Sequence, residues 1–199
     1  GYFLGGSSQG QATFTWGRVD LAGSPNAAAD AATTRTAGRY SKLRFAVQKD
    51  QTLSSRHQGL LAISGQLASK NLDSSERFYL GGPYGVRAYP VSEGGGSDGL
   101  LATAEARWLL PQQFTASGFA DWGMVRVNRS NDFAGAARNN LYALSGLGAS
   151  VGWQGPQRLT AKLTWAHRLG HNPNAGSSGN DQDGSLVKHR FWINVQYPF

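Results

Sequence analysis

Hydrolytic or acyl-transfer chemistry needs a hydroxyl or thiol beside a base that a third group orients. This chain has no cysteine and four histidines, His57, His167, His171 and His189, and none stands beside an evident nucleophile. A Ca²⁺ site needs oxygen ligands at a set spacing. Residues 171–184, HNPNAGSSGNDQDG, offer the Asn and Asp but not the spacing, and read as a disordered external loop. No cofactor or metal is expected. What remains is charge placed on a pattern: Lys42, Arg44, Glu105, Arg107, Asp121, Lys162, Arg168 and Arg190. Arg87 stands apart from them, in the apolar, glycine-rich run FYLGGPYGVRAY at 78–89. Gly81, Gly82, Pro83 and Gly85 keep that run out of a helix or a central strand. Solvated loops, however, rarely hold Phe78, Tyr79, Leu80, Val86 and Tyr89 together.

The elements that position these charges have a period of two. In KHRFWINVQYPF (188–199), Phe191, Ile193, Val195, Tyr197 and Phe199 share a face opposite Arg190, Trp192, Asn194 and Gln196. At 159–169, Leu159, Ala161, Leu163 and Trp165 oppose Thr160, Lys162, Thr164 and Arg168. At 99–110, Ala102, Ala104, Ala106 and Trp108 oppose Thr103, Glu105 and Arg107. At 40–49, Leu43, Phe45 and Val47 oppose Lys42, Arg44 and Gln48. Weaker alternation runs through 10–19, 57–69, 113–127 and 141–153, giving eight strands.

Strands this long exceed the ~5–6 residues usual in soluble sheets and match the ~9–11 that cross a bilayer at a tilt. The links alternate. Those at 51–56, 111–112 and 154–157 are short; those at 20–38, 70–97, 128–140 and 170–187 are long and rich in Gly, Ser, Asn and Asp. That rhythm, with aromatic residues near strand ends (Trp16, Trp108, Trp122, Trp153), is the pattern of an all-β, antiparallel transmembrane β-barrel. A Lys or Arg on the lipid side at midplane costs ~2–4 kcal/mol, so the charged faces turn inward. Lys42, Arg44, Arg107, Lys162, Arg168 and Arg190 against Glu105 and Asp121 then predict a wet, net basic lumen with polar inward faces throughout. The net charge of +7 would suit an anionic partner, but the basic residues form no run and no aromatic–basic module, so nucleic acid is not expected as a partner.

"SSERFYLGG", then "VRAY" and "SDG", resemble the signature of two-partner secretion transporters, the haemolysin secretion/activation proteins, which share a superfamily with BamA-type assembly factors. The motif residues are Glu76, Phe78, Leu80, Gly81 and Gly82 in the lead-in and Val86, Arg87, Ala88 and Tyr89 in the tetrad. Phe119-Ala120-Asp121-Trp122-Gly123 is similar to the family's second motif, Phe-x-Asp-x-Gly. The resemblance implies a long extracellular loop, here 70–97, that folds back into the barrel, with Arg87 paired to Asp121. It implies that residues 1–199 form barrel wall, the C-terminal half of a sixteen-stranded barrel, with periplasmic POTRA domains and the first half absent. It further implies a Gram-negative outer membrane, a large β-rich secreted exoprotein as substrate, no enzymatic activity, and Val195, Tyr197 and Phe199 as the signal read by the barrel-assembly machinery. An insertase of the BamA type, or a stand-alone eight-stranded barrel, are the alternatives. The tetrad departs from the family at Ala88, where the family has glycine. A β-carbon there would cost ~1–2 kcal/mol if the position required positive φ.

Overall fold

A computed structural model describes residues 5–198. Its long strands are β1 (Gly6–Val19), β2 (Gly38–Thr52), β3 (His57–Ala68), β6 (Asp98–Leu109), β7 (Phe114–Arg126), β8 (Leu141–Gln154), β9 (Thr160–Leu169) and β10 (His189–Gln196); the two-residue strands β4 (Phe78–Tyr79) and β5 (Gly95–Gly96) pair inside the longest link. The eight long strands make one antiparallel sheet in the order β1-β2-β3-β6-β7-β8-β9-β10, a meander broken only by the detour through β4 and β5. All eight expected strands are present. The sheet curls, because one cavity is lined by Ala62 of β3 together with Trp192 and Asn194 of β10.

Alternation decides which face is which. Phe14, Val47, Leu61, Leu163, Phe191 and Ile193 are exposed on the convex side, as the period-two reading requires. Two short turns are close copies. Gln112 and Gln113 follow Pro111, Gln157 and Arg158 follow Pro156, and all four residues have positive φ. Two consecutive positive-φ residues match the right-handed twist of the flanking strands.

The concave face differs from expectation in one respect. It is not polar throughout. Phe119, Val125, Tyr142, Leu144 and Ala166, from β7, β8 and β9, form an apolar patch, and Leu80, Val86, Ala88 and Tyr89 of the long link complete it as one buried cluster. The alternation in β8 is too rich in glycine and alanine to have revealed this in sequence. The link 20–37 also holds a short helix, α1 (Ala27–Ala32), formed where alanine, the strongest helix former, dominates.

Candidate functional site

The site is built by register. Thr103 of β6 lies opposite Asp121 of β7, Asp121 opposite Gly146 of β8, and Gly146 opposite Arg168 of β9. These four residues form a row across four strands on the concave face. The tip of the long link lies across this row and meets it one residue at a time.

Arg87 meets Asp121. Its Nε donates to Asp121 Oδ2 at 2.9 Å and its Nη2 to Asp121 Oδ1 at 2.8 Å, a bidentate fork. The Arg87 backbone N–H also donates to Oδ2 at 3.1 Å. Thr103 Oγ1 donates to Oδ1 at 2.9 Å, so the wall orients the carboxylate. Arg87 Nη1 reaches a second carboxylate, Glu105 Oε2, at 2.9 Å. Glu105 is shared with Arg107, whose Nε donates at 2.8 Å and whose Nη1 meets Asp50 at 3.2 Å. The guanidinium lies 3.3 Å from the centre of the Phe119 ring, a desolvated cation–π contact. Asp121 is 2 % exposed and Arg87 6 %, so removing either would leave an uncompensated charge, at a cost of ~3–5 kcal/mol. Trp192 of β10 closes the contact from the far side, donating Nε1–H to the Arg87 carbonyl at 2.8 Å.

Ala88 meets Gly146. A β-carbon on Gly146 would come within 2.6 Å of the Ala88 methyl. The residue whose β-carbon departs from the family glycine therefore sits where the wall has none. Ala88 is not among the positive-φ residues, so its backbone is ordinary. Tyr89, in turn, meets Arg168, whose guanidinium lies 4.3 Å from the tyrosine ring centre. Gly123, the last member of the Phe-x-Asp-x-Gly match, makes room for Leu80: a β-carbon there would stand 2.6 Å from Leu80 Cδ2.

The loop is shaped for this docking by its own backbone. Val86 N–H donates to Leu80 O at 2.7 Å, Tyr89 N–H to Val86 O at 3.0 Å, and Gly82 N–H to Tyr89 O at 3.1 Å. Gly82 has φ +110°, a conformation open to glycine and little else. Gly81 pairs with Val86 in a one-residue bridge. Phe78 and Tyr79 pair with Gly96 and Gly95 at the loop's root. Glu76 lies before that root and pairs with Lys42 of β2 at 2.5 Å. The Lys42 ammonium holds the Glu76 carboxyl below its ordinary value, and partial burial opposes it only in part.

The lumen is less basic than expected. Acids that the strand reading did not count pair with four of its six expected cations. Glu76 meets Lys42, Asp50 meets Arg107, Asp183 meets Arg190 at 3.0 Å, and Asp181 meets Arg168. Arg44 is held by Gln66 Oε1 at 2.6 Å and the Arg77 carbonyl at 3.1 Å. Lys162 makes no ion pair among the described residues. It lines a cavity of ≈ 340 Å³ under the loop tip with Arg87, Glu105 and Trp192. Most of the missed acids lie in links, where no period tells which way a side chain points.

The disordered reading of 171–184 is likewise corrected. Gly176 N–H donates to Asn180 O at 2.8 Å and Asp181 N–H to Ser185 O at 2.9 Å, and Asn172 and Asp181 are buried. No cluster of three metal-ligating side chains occurs among the described residues. His57 does meet a hydroxyl, Ser54 Oγ at 2.7 Å. That oxygen already accepts from Arg56 N–H and His57 N–H, and so closes a surface turn. Val195 and Tyr197 are exposed on the convex side; Phe199 lies outside the described residues.

A curled antiparallel wall whose concave side is occupied by one of its own loops, held by an Arg–Asp fork, defines a barrel-wall protein with a plugged interior. The Omp85 superfamily domain matches residues 12–185, and the chain belongs to that superfamily. The family expected from the loop motif and Phe-x-Asp-x-Gly therefore holds at this level. The heme/hemopexin transporter protein HuxB of Haemophilus influenzae is 24 % identical over 160 residues, covering 78 % of this chain and 26 % of the relative. HuxB of H. influenzae strain 86-028NP is 22 % identical over the same shares. The chain thus spans about a quarter of the length of the curated relatives it matches. Among solved structures, CdiB from Acinetobacter baumannii shares the fold with a TM-score of 0.52 at 16 % identity, over 79 % of this chain and 33 % of the other.

Proposed function

We propose that this chain is wall and inner loop of an outer-membrane pore that passes an unfolded exoprotein from periplasm to cell surface. The convex apolar face meets lipid, the long links face outward from the cell, and the short turns face the periplasm. The link 69–97 is the moving part. It occupies the interior when the pore rests, and Arg87, Asp121 and Glu105 hold it there. No bond of the cargo is made or broken, so the site needs donors and acceptors that can exchange partners rather than a nucleophile. Val195 and Tyr197 serve recognition by the barrel-assembly machinery.

The observation that carries this reading is the Arg87–Asp121 fork. It ties a loop to a wall strand 34 residues away through an ion pair, which can reform. Superfamily membership and the transporter name of the HuxB relatives support it. The test is secretion by the whole outer-membrane protein. Arg87→Ala and Asp121→Ala are each expected to abolish export of the cognate exoprotein while the barrel still inserts and migrates as a folded species. Normal export by both variants would remove the mechanism.

A further inference from the structure

The row that receives the loop tip ends at Arg168, and Arg168 is itself held from outside the wall. Its guanidinium pairs with Asp181 of the link 170–188, and the Asp181 side chain has no solvent exposure. Asp181 Oδ1 also accepts from Asn172 Nδ2 at 3.0 Å. The same Asn172 Nδ2 donates to Glu93 Oε1 at 3.0 Å, and the Gln182 backbone N–H donates to Glu93 Oε2 at 2.8 Å. Glu93 stands on the returning limb of the inserted loop and is 2 % exposed; its carbonyl accepts from Leu80 N–H and Gly81 N–H at 3.0 Å.

Glu93 makes no ion pair among the described residues. Both of its carboxylate oxygens are satisfied by the link 170–188. A buried carboxylate stripped of such donors bears the desolvation cost alone. The inserted loop and the outer link therefore stabilise one another. Arg168 joins the two contacts, because it stacks on Tyr89 from one side and is fixed by Asp181 from the other.

We propose that the link 170–188 is a strap over the inserted loop. Glu93, Asn172, Asp181 and Arg168 are positioning residues that seat Tyr89, and through it the Arg87 fork. While the strap is seated, it keeps the fork closed and the loop in the interior. This rests on the reading that the loop moves.

The test is hydrogen exchange of the Val86 and Tyr89 amides in the whole outer-membrane protein, reconstituted in lipid, for Asn172→Ala, Arg87→Ala and the double variant. Asn172→Ala is expected to speed exchange on the order of tenfold, the factor for losing the one of its two hydrogen bonds to carboxylates that reaches the inserted loop, at Glu93. In the Arg87→Ala background, where the loop is already free, it is expected to add nothing. Equal acceleration in both backgrounds would mean that Asn172 only supports the fold, and no acceleration in either would mean that the strap does not bear on the loop; each result overturns the proposal. Exchange reads the strap whether or not cargo moves. If Arg87→Ala and Asp121→Ala both leave export intact, the transport reading fails, and the exchange comparison still decides this one.

Discussion

Two long links of this chain are each gathered around one buried aspartate, and the origin of that aspartate separates them. In the link 20–37 the carboxylate belongs to the link. Asp30 Oδ1 accepts from Thr34 Oγ1 at 3.0 Å, Thr36 N–H at 2.8 Å and Thr36 Oγ1 at 2.6 Å, and Oδ2 accepts from Ala37 N–H at 3.0 Å. In the link 69–97 the carboxylate is Asp121 of the wall, and the link brings the arginine. Both aspartates are buried, Asp30 8 % and Asp121 2 % exposed, so burial is not the difference. Sequence separation is. The Asp30 bonds shape the link 20–37 from within, although Lys70 Nζ and Asn71 Nδ2 of the link 69–97 also donate to its Ala37 and Thr34 carbonyls. A loop tied to a wall strand can be untied whole, without unfolding either partner.

The strongest way to break this contrast is to remove each aspartate. Asp121→Ala is expected to weaken docking of the inserted loop by ~3–5 kcal/mol, because Arg87 is left buried with only Glu105. Hydrogen exchange should then rise across residues 80–94 while β6, β7 and β8 stay protected. Asp30→Ala is expected to cost ~1–3 kcal/mol and to expose only residues 20–37 to protease. If Asp121→Ala left residues 80–94 protected, the wall carboxylate would not be what holds the loop.

A middle-sized effect sharpens the residue-by-residue reading of the row. Gly146→Ala sets a methyl 2.6 Å from the Ala88 methyl and 3.1 Å from the His167 carbonyl. Overpacking of this kind costs ~1–3 kcal/mol. Ala88→Gly in the same chain should restore most of the loop's protection, the remainder being the carbonyl contact. If Ala88→Gly restores none, the row does not pair Ala88 with Gly146.

How far the sequence could be read follows from where period two applies. Strand positions, which face Asp121 and Glu105 turn to, and the anomaly of Arg87 all come from alternation or composition, and all are legible without coordinates. Registers are not. Nothing in the sequence says that Asp121 stands beside Gly146, or that Gly146 stands beside Arg168, so the docking row was invisible even though all four of its members lay on strands already assigned. Glu93, Asn172 and Asp181 were harder still. They lie in links where chain direction reverses every few residues, and a polar composition there reads as solvation until a buried cation is found to need it. The loop motif pointed to Arg87 and Asp121; it carried no sign of the second carboxylate on Arg87 or of the strap.

The smallest expected effect tests whether the link 20–37 is as self-contained as the contrast requires. Burial pushes the Asp30 carboxyl up, but the bonds from Thr36, Ala37 and Thr34 outweigh it and hold the group at about 2, against an ordinary 3.8. A depressed carboxylate stabilises the folded link fully above the unfolded value, and that stabilisation disappears as pH falls through the folded one. The link should therefore resist pepsin at pH 4 and be cut at pH 2, with the change centred between the two values. Asp30→Asn keeps the shape but cannot titrate. It should be cut at both pH values at similar rates, with the inserted loop's protection at neutral pH unaltered. A wild-type pH profile in Asp30→Asn would show that some other group organises the link, and a disturbance reaching residues 80–94 would show that the two loops are not separate devices.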